Sequence, residues 1–344
     1  MNRVMGKYKE IKLVVRNYFE ALEKTSPENV VEVMNEYMSD DYTFRGSYPF
    51  RHLKEIEAVA EQVWIPLKRS LTNLQRRQDI FIAGTNELGS DTWVMSMGHF
   101  MGLFDAPWLG IRPTGKMINL RYAEFHCVDN GKIVQTGLFL DIIGMMEQAG
   151  TNPLPPSTGV YYTYPGPRDH DGLLFEDVPE EEGVKTLNLV NEMIDDLSEL
   201  NDLGSMTCPP EILERTWSKN MIWYGPSGVG ASYTIPRYQI QHQLPFRENL
   251  DNKKFVGHIC RFAEGNFACF FGWPNLSNTH LGGWLGMPGS GVSTEMQVVD
   301  VYNRKGDELS ENWVIIDIPY WLKQQGLDVL GRTEDIFQPD YIKR

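Results

Sequence analysis

Asp141-Ile-Ile-Gly-Met-Met-Glu-Gln-Ala-Gly150 returns as Asp317-Ile-Pro-Tyr-Trp-Leu-Lys-Gln-Gln-Gly326, at an offset of 176 residues. Working outward, Trp108-Leu109-Gly110 recurs at the same offset as Trp284-Leu285-Gly286, and Gly115 meets Gly291. Eight of 43 ungapped positions agree, against about two or three expected from ordinary residue frequencies. Farther upstream the offset is 179, through Glu32/Glu211, Ser39/Ser218, Gly46/Gly225, Ile56/Ile235 and Pro66/Pro245. A three-residue deletion reconciles the two blocks, so the chain is read as a duplicated domain.

Each copy predicts the same order of elements. Tyr8, Ile11, Val15, Phe19 and Leu22 follow a helical period, as do Leu187, Val190, Ile194 and Leu197. Ser26-Pro27-Glu28 then supplies a cap and a first-turn proline, matched by Pro209-Pro210-Glu211. After a bend at Gly46 or Gly225 comes a short helix with Ile56 or Ile235. Strand-like runs follow over 79–83, 92–96, 118–128 and 133–140, and Asn130-Gly131 marks a tight hairpin between the last two. Lys305-Gly306 does the same in the second copy, and the Asp141 stretch reads as a capped helical turn closed by glycine. Helices followed by a curved antiparallel sheet make an α+β pattern. The stretch between the copies, with Thr151-Asn-Pro-Leu-Pro-Pro-Ser, Tyr164-Pro-Gly-Pro167 and Glu180-Glu-Glu182, reads as a linker or long packed loop. The expected division is 1–150, a linker over 151–184, 185–335, and a tail over 336–344.

The chain has 344 residues, 42% hydrophobic and 23% charged, which is globular composition. Its net charge of −14 disfavours nucleic acid and anionic membrane as partners. The densest basic stretch, Lys68-Arg69 with Arg76-Arg77, reads as a solvated face. No apolar run spans a membrane, and Met1 to Glu10 lacks the apolar core of a secretion signal, so a cytoplasmic location is expected. Cys127, Cys208, Cys260 and Cys269 show no paired spacing and read as reduced core thiols. None of the seven histidines forms an HxH or HExxH pair, so no metal site is expected. The glycines of 282–291 read as turns, not as a dinucleotide or phosphate loop. Asp169-His170-Asp171 reads as a loop lock.

Gly110-Ile-Arg-Pro-Thr-Gly-Lys116, the strand holding Glu124, Asp129-Asn-Gly-Lys-Ile-Val134 and the Asp141–Gly150 stretch resemble the SnoaL-like polyketide cyclases. The second copy matches more loosely, through Glu311-Asn-Trp313 and Asp317. That resemblance implies two tandem cone-shaped α+β barrels of the nuclear-transport-factor-like superfamily. Each would have N-terminal helices packed on a strongly curved, mainly antiparallel sheet around a small-molecule pocket. It also implies that the family's catalytic acid would fall at Leu138 and Val314, where no side chain can carry a proton. Cyclase-type aldol chemistry is therefore in question for both copies.

Strand alternation puts Tyr122, Glu124 and His126 on one face, with Thr136 and Leu138 on the partner strand. The duplicate positions are Val298, Asp300 and Tyr302, with Asn312 and Val314. The resemblance turns these faces into the cone. Glu124, His126 and Asp300 are the candidate acid–base groups, since a carboxylate in an apolar cavity has its pKa raised. The competing reading pairs Glu124 with Arg121 or Arg45 as structure. Tyr122, His99, Trp108, Thr136, Leu138, Tyr302, Asn312, Val314 and Trp284 are candidate ligand contacts, with core packing the default for both tryptophans. The expected function is binding of a small, mostly apolar oxygenated molecule without a cofactor, with isomerase, lyase, hydrolase or cyclase chemistry. The alternative is a non-catalytic binding or scaffold protein. The two copies are expected to pack sheet to sheet as an intrachain pseudo-dimer, which leaves room for a further homodimer.

Overall fold

The computed structural model describes residues 7–176, 178–202 and 209–337. The first copy opens with α1 (Lys9–Lys24) and α2 (Val30–Tyr37), then β1 (Met38–Gly46) and β2 (Arg51–Leu53). Next come α3 (Ile56–Val59) and α4 (Ile65–Ser70), then β3 (Leu71–Thr85), β4 (Thr92–Phe104), β5 (Met117–Asp129), β6 (Lys132–Leu140) and α5 (Ile142–Gln148). The second copy runs α6 (Glu180–Asp202), α7 (Pro210–Leu213), β7 (Trp217–Tyr224), β8 (Ala231–Tyr233), α8 (Ile235–Tyr238) and α9 (Leu244–Asn249). It continues with β9 (Leu250–Phe255), β10 (Cys260–Glu264), β11 (Phe267–His280), β12 (Ser293–Lys305), β13 (Glu308–Ile316), α10 (Ile318–Gln324) and α11 (Val329–Phe337). Helix α6 thus begins inside the stretch read from sequence as linker.

The sheets run β2-β1-β6-β5-β4-β3 and β10-β11-β12-β13-β7-β8, with β9 also on β11. Among the described strands, the parallel pairs are β1 with β6 and β7 with β13. Both sheets bend around their helices, but neither closes into a barrel, and each keeps two free ends in its strand order. The hairpin at Asn130-Gly131 has positive φ at both residues, as a type I′ turn requires.

The duplication extends to an irregularity. Residues 60–64 between α3 and α4, and 239–243 between α8 and α9, each form one π-helical turn. Pro66 and Pro245 stand at the start of the following helix and cannot donate to the preceding turn, which widens instead.

Each sheet packs one face on its own helices and the other on its twin. Trp93, Phe125, Phe139, Phe262, Phe271, Val301 and Ile315 belong to this inter-sheet core. Phe271 is central, with ring centroids 4.8 Å from Phe125, 5.6 Å from Phe139 and 5.8 Å from Trp93. Two contacts repeat reciprocally. Asp141 caps α5 through Gly144 N (3.0 Å) and accepts Ser227 N of the other copy (3.1 Å). Asp317 caps α10 through Tyr320 N (3.2 Å) and accepts Tyr48 N (2.8 Å). Tyr48 and Ser227 are 179 apart, Asp141 and Asp317 176 apart, which are the two repeat offsets. Residue i meeting j while j's twin meets i's twin is the signature of a twofold interface. A buried Lys12–Glu264 pair, at 2.5 Å, also joins the copies.

The inter-copy stretch is packed. Phe81 N donates to Gly172 O and Leu174 N to Phe81 O, so the chain adds a short parallel bridge at β3. Phe175 lies 5.4 Å from the Phe81 ring. Cys127, Cys260 and Cys269 are buried and free; Cys208 lies outside the described residues. Among the described residues, no helix is long and apolar enough to cross a membrane.

Candidate functional site

The interiors of the two copies differ. Strands β5 and β6 pair Tyr122 with Leu140, Glu124 with Leu138 and His126 with Thr136, all on the helix side of the sheet. Tyr122, Glu124 and His126 are fully buried. Glu124 is held by Arg76, with Nη1 2.5 Å from Oε2, not by Arg121 or Arg45. Arg121 instead donates to Tyr224 O and Gly225 O of the second copy, and Arg45 to Gln135. Arg76 is therefore no part of a solvated basic face. Its guanidinium lies 3.7 Å from the Phe19 ring, 4.7 Å from Phe100 and 5.0 Å from Tyr122. Burial pushes the Glu124 carboxyl up, but Arg76 and His126 outweigh it and lower its pKa to about 2.

The remaining groups are also engaged. His126 Nδ1 lies 2.9 Å from Thr136 Oγ1. Its Nε2 sits 3.3 Å from Glu124 Oε1 without completing a hydrogen bond. Tyr122 hydroxyl meets Ser96 Oγ at 2.9 Å, and Gln78 donates to the same oxygen. A cleft of about 330 Å³ beside Phe175 reaches Phe19, Arg76 and Gln78 but is not lined by Glu124 or His126, and the opening bounded by Trp64 and Phe100 is about 20 Å³. That is room for about one water, not for a substrate.

In the second copy the equivalent face lines a cavity of about 480 Å³, within the usual range of about 300–1,000 Å³ for ligand pockets. Asp300, Tyr302, Asn312 and Val314 all contribute to its wall, with Val298 beside them. Three substitutions between the copies explain the space. Val298 stands for Tyr122, Gln243 for Trp64, and Asp300 for Glu124. The fourth cause is backbone: the counterpart of β3 breaks into β9 and β10, and the segment between brings no arginine inward but His258.

Asp300 has no ion pair among the described residues. Its Oδ1 accepts from Tyr302 hydroxyl at 3.1 Å and Asn312 Nδ2 at 3.2 Å. Burial raises its pKa to about 6, against the lowering effect of those two donors. Asp300 keeps partial exposure because it faces the cavity. It pairs across the ladder with Val314, the position where the family resemblance expects the acid. Trp217, Trp223, Tyr238, Phe246 and Phe270 supply aromatic walls. His242 stacks on Trp223 at 4.0 Å and His258 on Phe270 at 4.0 Å. Burial lowers their pKa values to about 3 and about 4 respectively, with Arg261 adding to the second, so both rings are neutral near pH 7.

Three sequence candidates lie elsewhere. His99 is on the opposite face of β4, with Nδ1 3.4 Å from Asp79, because odd positions from Trp93 to Met97 face the twin sheet. Trp108 is buried beside Phe50. Trp284 packs in the core against Trp321 and Phe246 and does not line the cavity. Asp169 of the Asp-His-Asp stretch pairs with Lys305. Arg76, His242 and His258 are not among the sequence candidates for the site, and Arg76 is read there as part of a solvated face. Counting alternation back from Phe81 points Arg77 inward, but a register shift between Gln78 and Ile80 turns Arg76 inward instead. The π turn likewise moves His242 off the helical period.

No group of three or more His, Cys, Asp or Glu among the described residues is placed to hold a metal. Residues 12–149 match the family model for SnoaL-like polyketide cyclase. Among solved structures, a protein assigned as a SnoaL-like polyketide cyclase from Jannaschia sp. CCS1 is 16% identical, covering 45% of this chain and 99% of its own, with TM-score 0.32. An NTF2-like protein from Burkholderia thailandensis E264 is 19% identical over 40% and 95%, with TM-score 0.31. An LEH-like epoxide hydrolase from M. tuberculosis is 11% identical over 42% and 91%, with TM-score 0.30. No curated protein matches the chain by sequence.

Proposed function

We propose, from the match of residues 12–149 to the SnoaL-like polyketide cyclase model, that the chain is a two-copy member of that family whose second copy does the chemical work. Its cavity takes a small, mostly apolar, oxygenated molecule, and Asp300 moves protons on it. The observation that carries this is the placement of an acid without a cationic partner, fixed by Tyr302 and Asn312, in the wall of an aromatic cavity. A carboxyl with a pKa of about 6 exchanges its proton readily near neutral pH. The cyclase name of the matching family model makes ring closure a reaction class to test, and a carboxyl that exchanges protons near neutral pH also suits isomerisation and hydrolysis. For the first copy the non-catalytic reading is favoured, because its acid is consumed in the Arg76 pair and its interior is filled.

The test is a binding and turnover screen of aromatic ketones, epoxides and alcohols, read by tryptophan fluorescence and by structures of soaked crystals. Ligands should occupy the second copy alone, and Val298→Trp should abolish their binding. Asp300→Asn should leave binding within about threefold and remove turnover. Ligands that bind Val298→Trp as well as the wild type would show that this cavity is not the site.

A further inference from the structure

The three buried thiols share the inter-sheet core with no ligand-sized space. The buried Lys12–Glu264 pair is fully matched. The cleft beside Phe175 leads only to the occupied Arg76. The π turn of the second copy lines the open cavity through His242 and Gln243.

His242 is fixed within that turn by three rings. It stacks on Trp223 at 4.0 Å and 17°, with Tyr238 at 5.4 Å and Phe246 at 5.5 Å. Trp223 is the ladder partner of Asn312, and Asn312 donates to Asp300. The imidazole and the carboxyl therefore line one cavity, linked through Trp223 and Asn312. Nδ1 of His242 is buried without a hydrogen-bond partner. A buried nitrogen without an acceptor is better left as a lone pair than as an N–H. The neutral ring then carries its proton on Nε2 and offers that edge to the cavity it lines. A donor that stays neutral does not compete with Asp300 for protons, and the stack holds it in place before any ligand arrives.

We propose that His242 is the second functional group of this cavity, a neutral donor that binds a ligand carbonyl oxygen while Asp300 exchanges a proton with the adjacent carbon. This rests on the reading of the cavity given above and narrows its ligand class to ketones with an enolisable C–H. The step balances without a co-reactant. Asp300 carboxylate takes the proton, the C–H pair becomes the C=C bond, and the carbonyl π pair moves to the oxygen held by His242 Nε2–H. Return of the proton to carbon, at the same or a conjugated position, restores the carbonyl and the Asp300 carboxylate.

The experiment uses two probes of one shape, 2-tetralone and tetralin, which differ by the carbonyl. Binding is read by fluorescence, and proton exchange by NMR deuterium wash-in at the tetralone CH₂ groups. Wild type should bind 2-tetralone about tenfold more tightly than tetralin. His242→Phe keeps the stack and removes the donor, so it should bind tetralin as wild type does and lose the preference. Its wash-in rate should fall about tenfold or more. Asp300→Asn should keep the preference and lose wash-in. A His242→Phe variant that still prefers the ketone overturns this inference and leaves the cavity reading standing. Failure of wild type to bind either probe overturns both.

Discussion

The first copy is filled and its acid is paired; the second is open and its acid is not. Both descend from one pattern, with the same strand order, the same π turn and the same capping aspartates. The difference lies in a few side chains and one broken strand. Tyr122, Trp64 and Arg76 fill the first interior, where Val298, Gln243 and the β9–β10 break leave space in the second. The lesson is that the outer face of each sheet is committed to the pairing of copies, while the inner face is free to diverge.

Breaking the pairing itself should have the largest effect. Separately expressed halves would bare Phe125, Phe139 and Phe271, which lie in the inter-sheet core. Each half should precipitate or self-associate, as checked by size-exclusion chromatography with light scattering. Two soluble monomeric halves with intact near-ultraviolet dichroism would mean that the shared face matters little. The next effect sharpens the contrast between the acids. Glu124→Gln or Arg76→Met leaves one buried charge unmatched and should cost about 3–5 kcal/mol in urea unfolding. The double variant Arg76→Met/Glu124→Leu should recover most of that loss. Asp300→Asn, with no ion partner to orphan, should change stability by less than about 1 kcal/mol. Equal costs for Glu124 and Asp300 would erase the distinction drawn between the copies.

A smaller effect tests what the copies still share. Asp141→Asn and Asp317→Asn each place an amide group against backbone donors that a carboxylate now satisfies. Each should cost about 1–3 kcal/mol, with similar values for the two. Because the contacts are related by the pseudo-twofold axis, a large inequality would show that the interface has diverged along with the interiors.

How much of this is written in the sequence follows from which physical rule governs each feature. Strand alternation places Asp300, Tyr302, Asn312 and Val314 together, since a period of two survives wherever the ladder is regular. It fails at Arg76, where an irregularity beside Asp79 changes the parity of β3. It also misplaces His99, whose strand is buried on both faces and gives no polar side to count from. The π turn hides His242 by the same means, adding a residue to a turn and so moving the face. The cavity itself is a difference of volumes among residues distant in sequence, which no local pattern records. The repeat offsets, in contrast, foretell the reciprocal Asp141–Ser227 and Asp317–Tyr48 contacts, because a duplicated chain meets its own copy through duplicated residues.

The smallest effect is a slope, and its sign differs between Glu124 and Asp300. Glu124 is lowered to about 2 from 4.5, so its contribution to stability is full above 4.5 and is lost as pH falls toward 2. Asp300 is raised to about 6 from 3.8, so between those values the folded chain holds a proton that the unfolded chain has released. Stability from this group therefore falls as pH rises from about 4 to 6. Asp317, raised by burial to about 6, acts in the same direction. Urea midpoints of wild type should decline over that window, and Asp300→Asn should remove part of the decline while leaving the Asp317 part. Proton exchange at a bound ketone should run the opposite way, because only the carboxylate is a base, with the rate rising through pH 6 to a plateau near 7. Asp317 is not a lining residue of the cavity, so Asp317→Asn should leave that rate profile unchanged. An exchange rate flat from pH 5 to 7 would place the working base elsewhere than Asp300, and the open copy would then be a binding chamber without its acid.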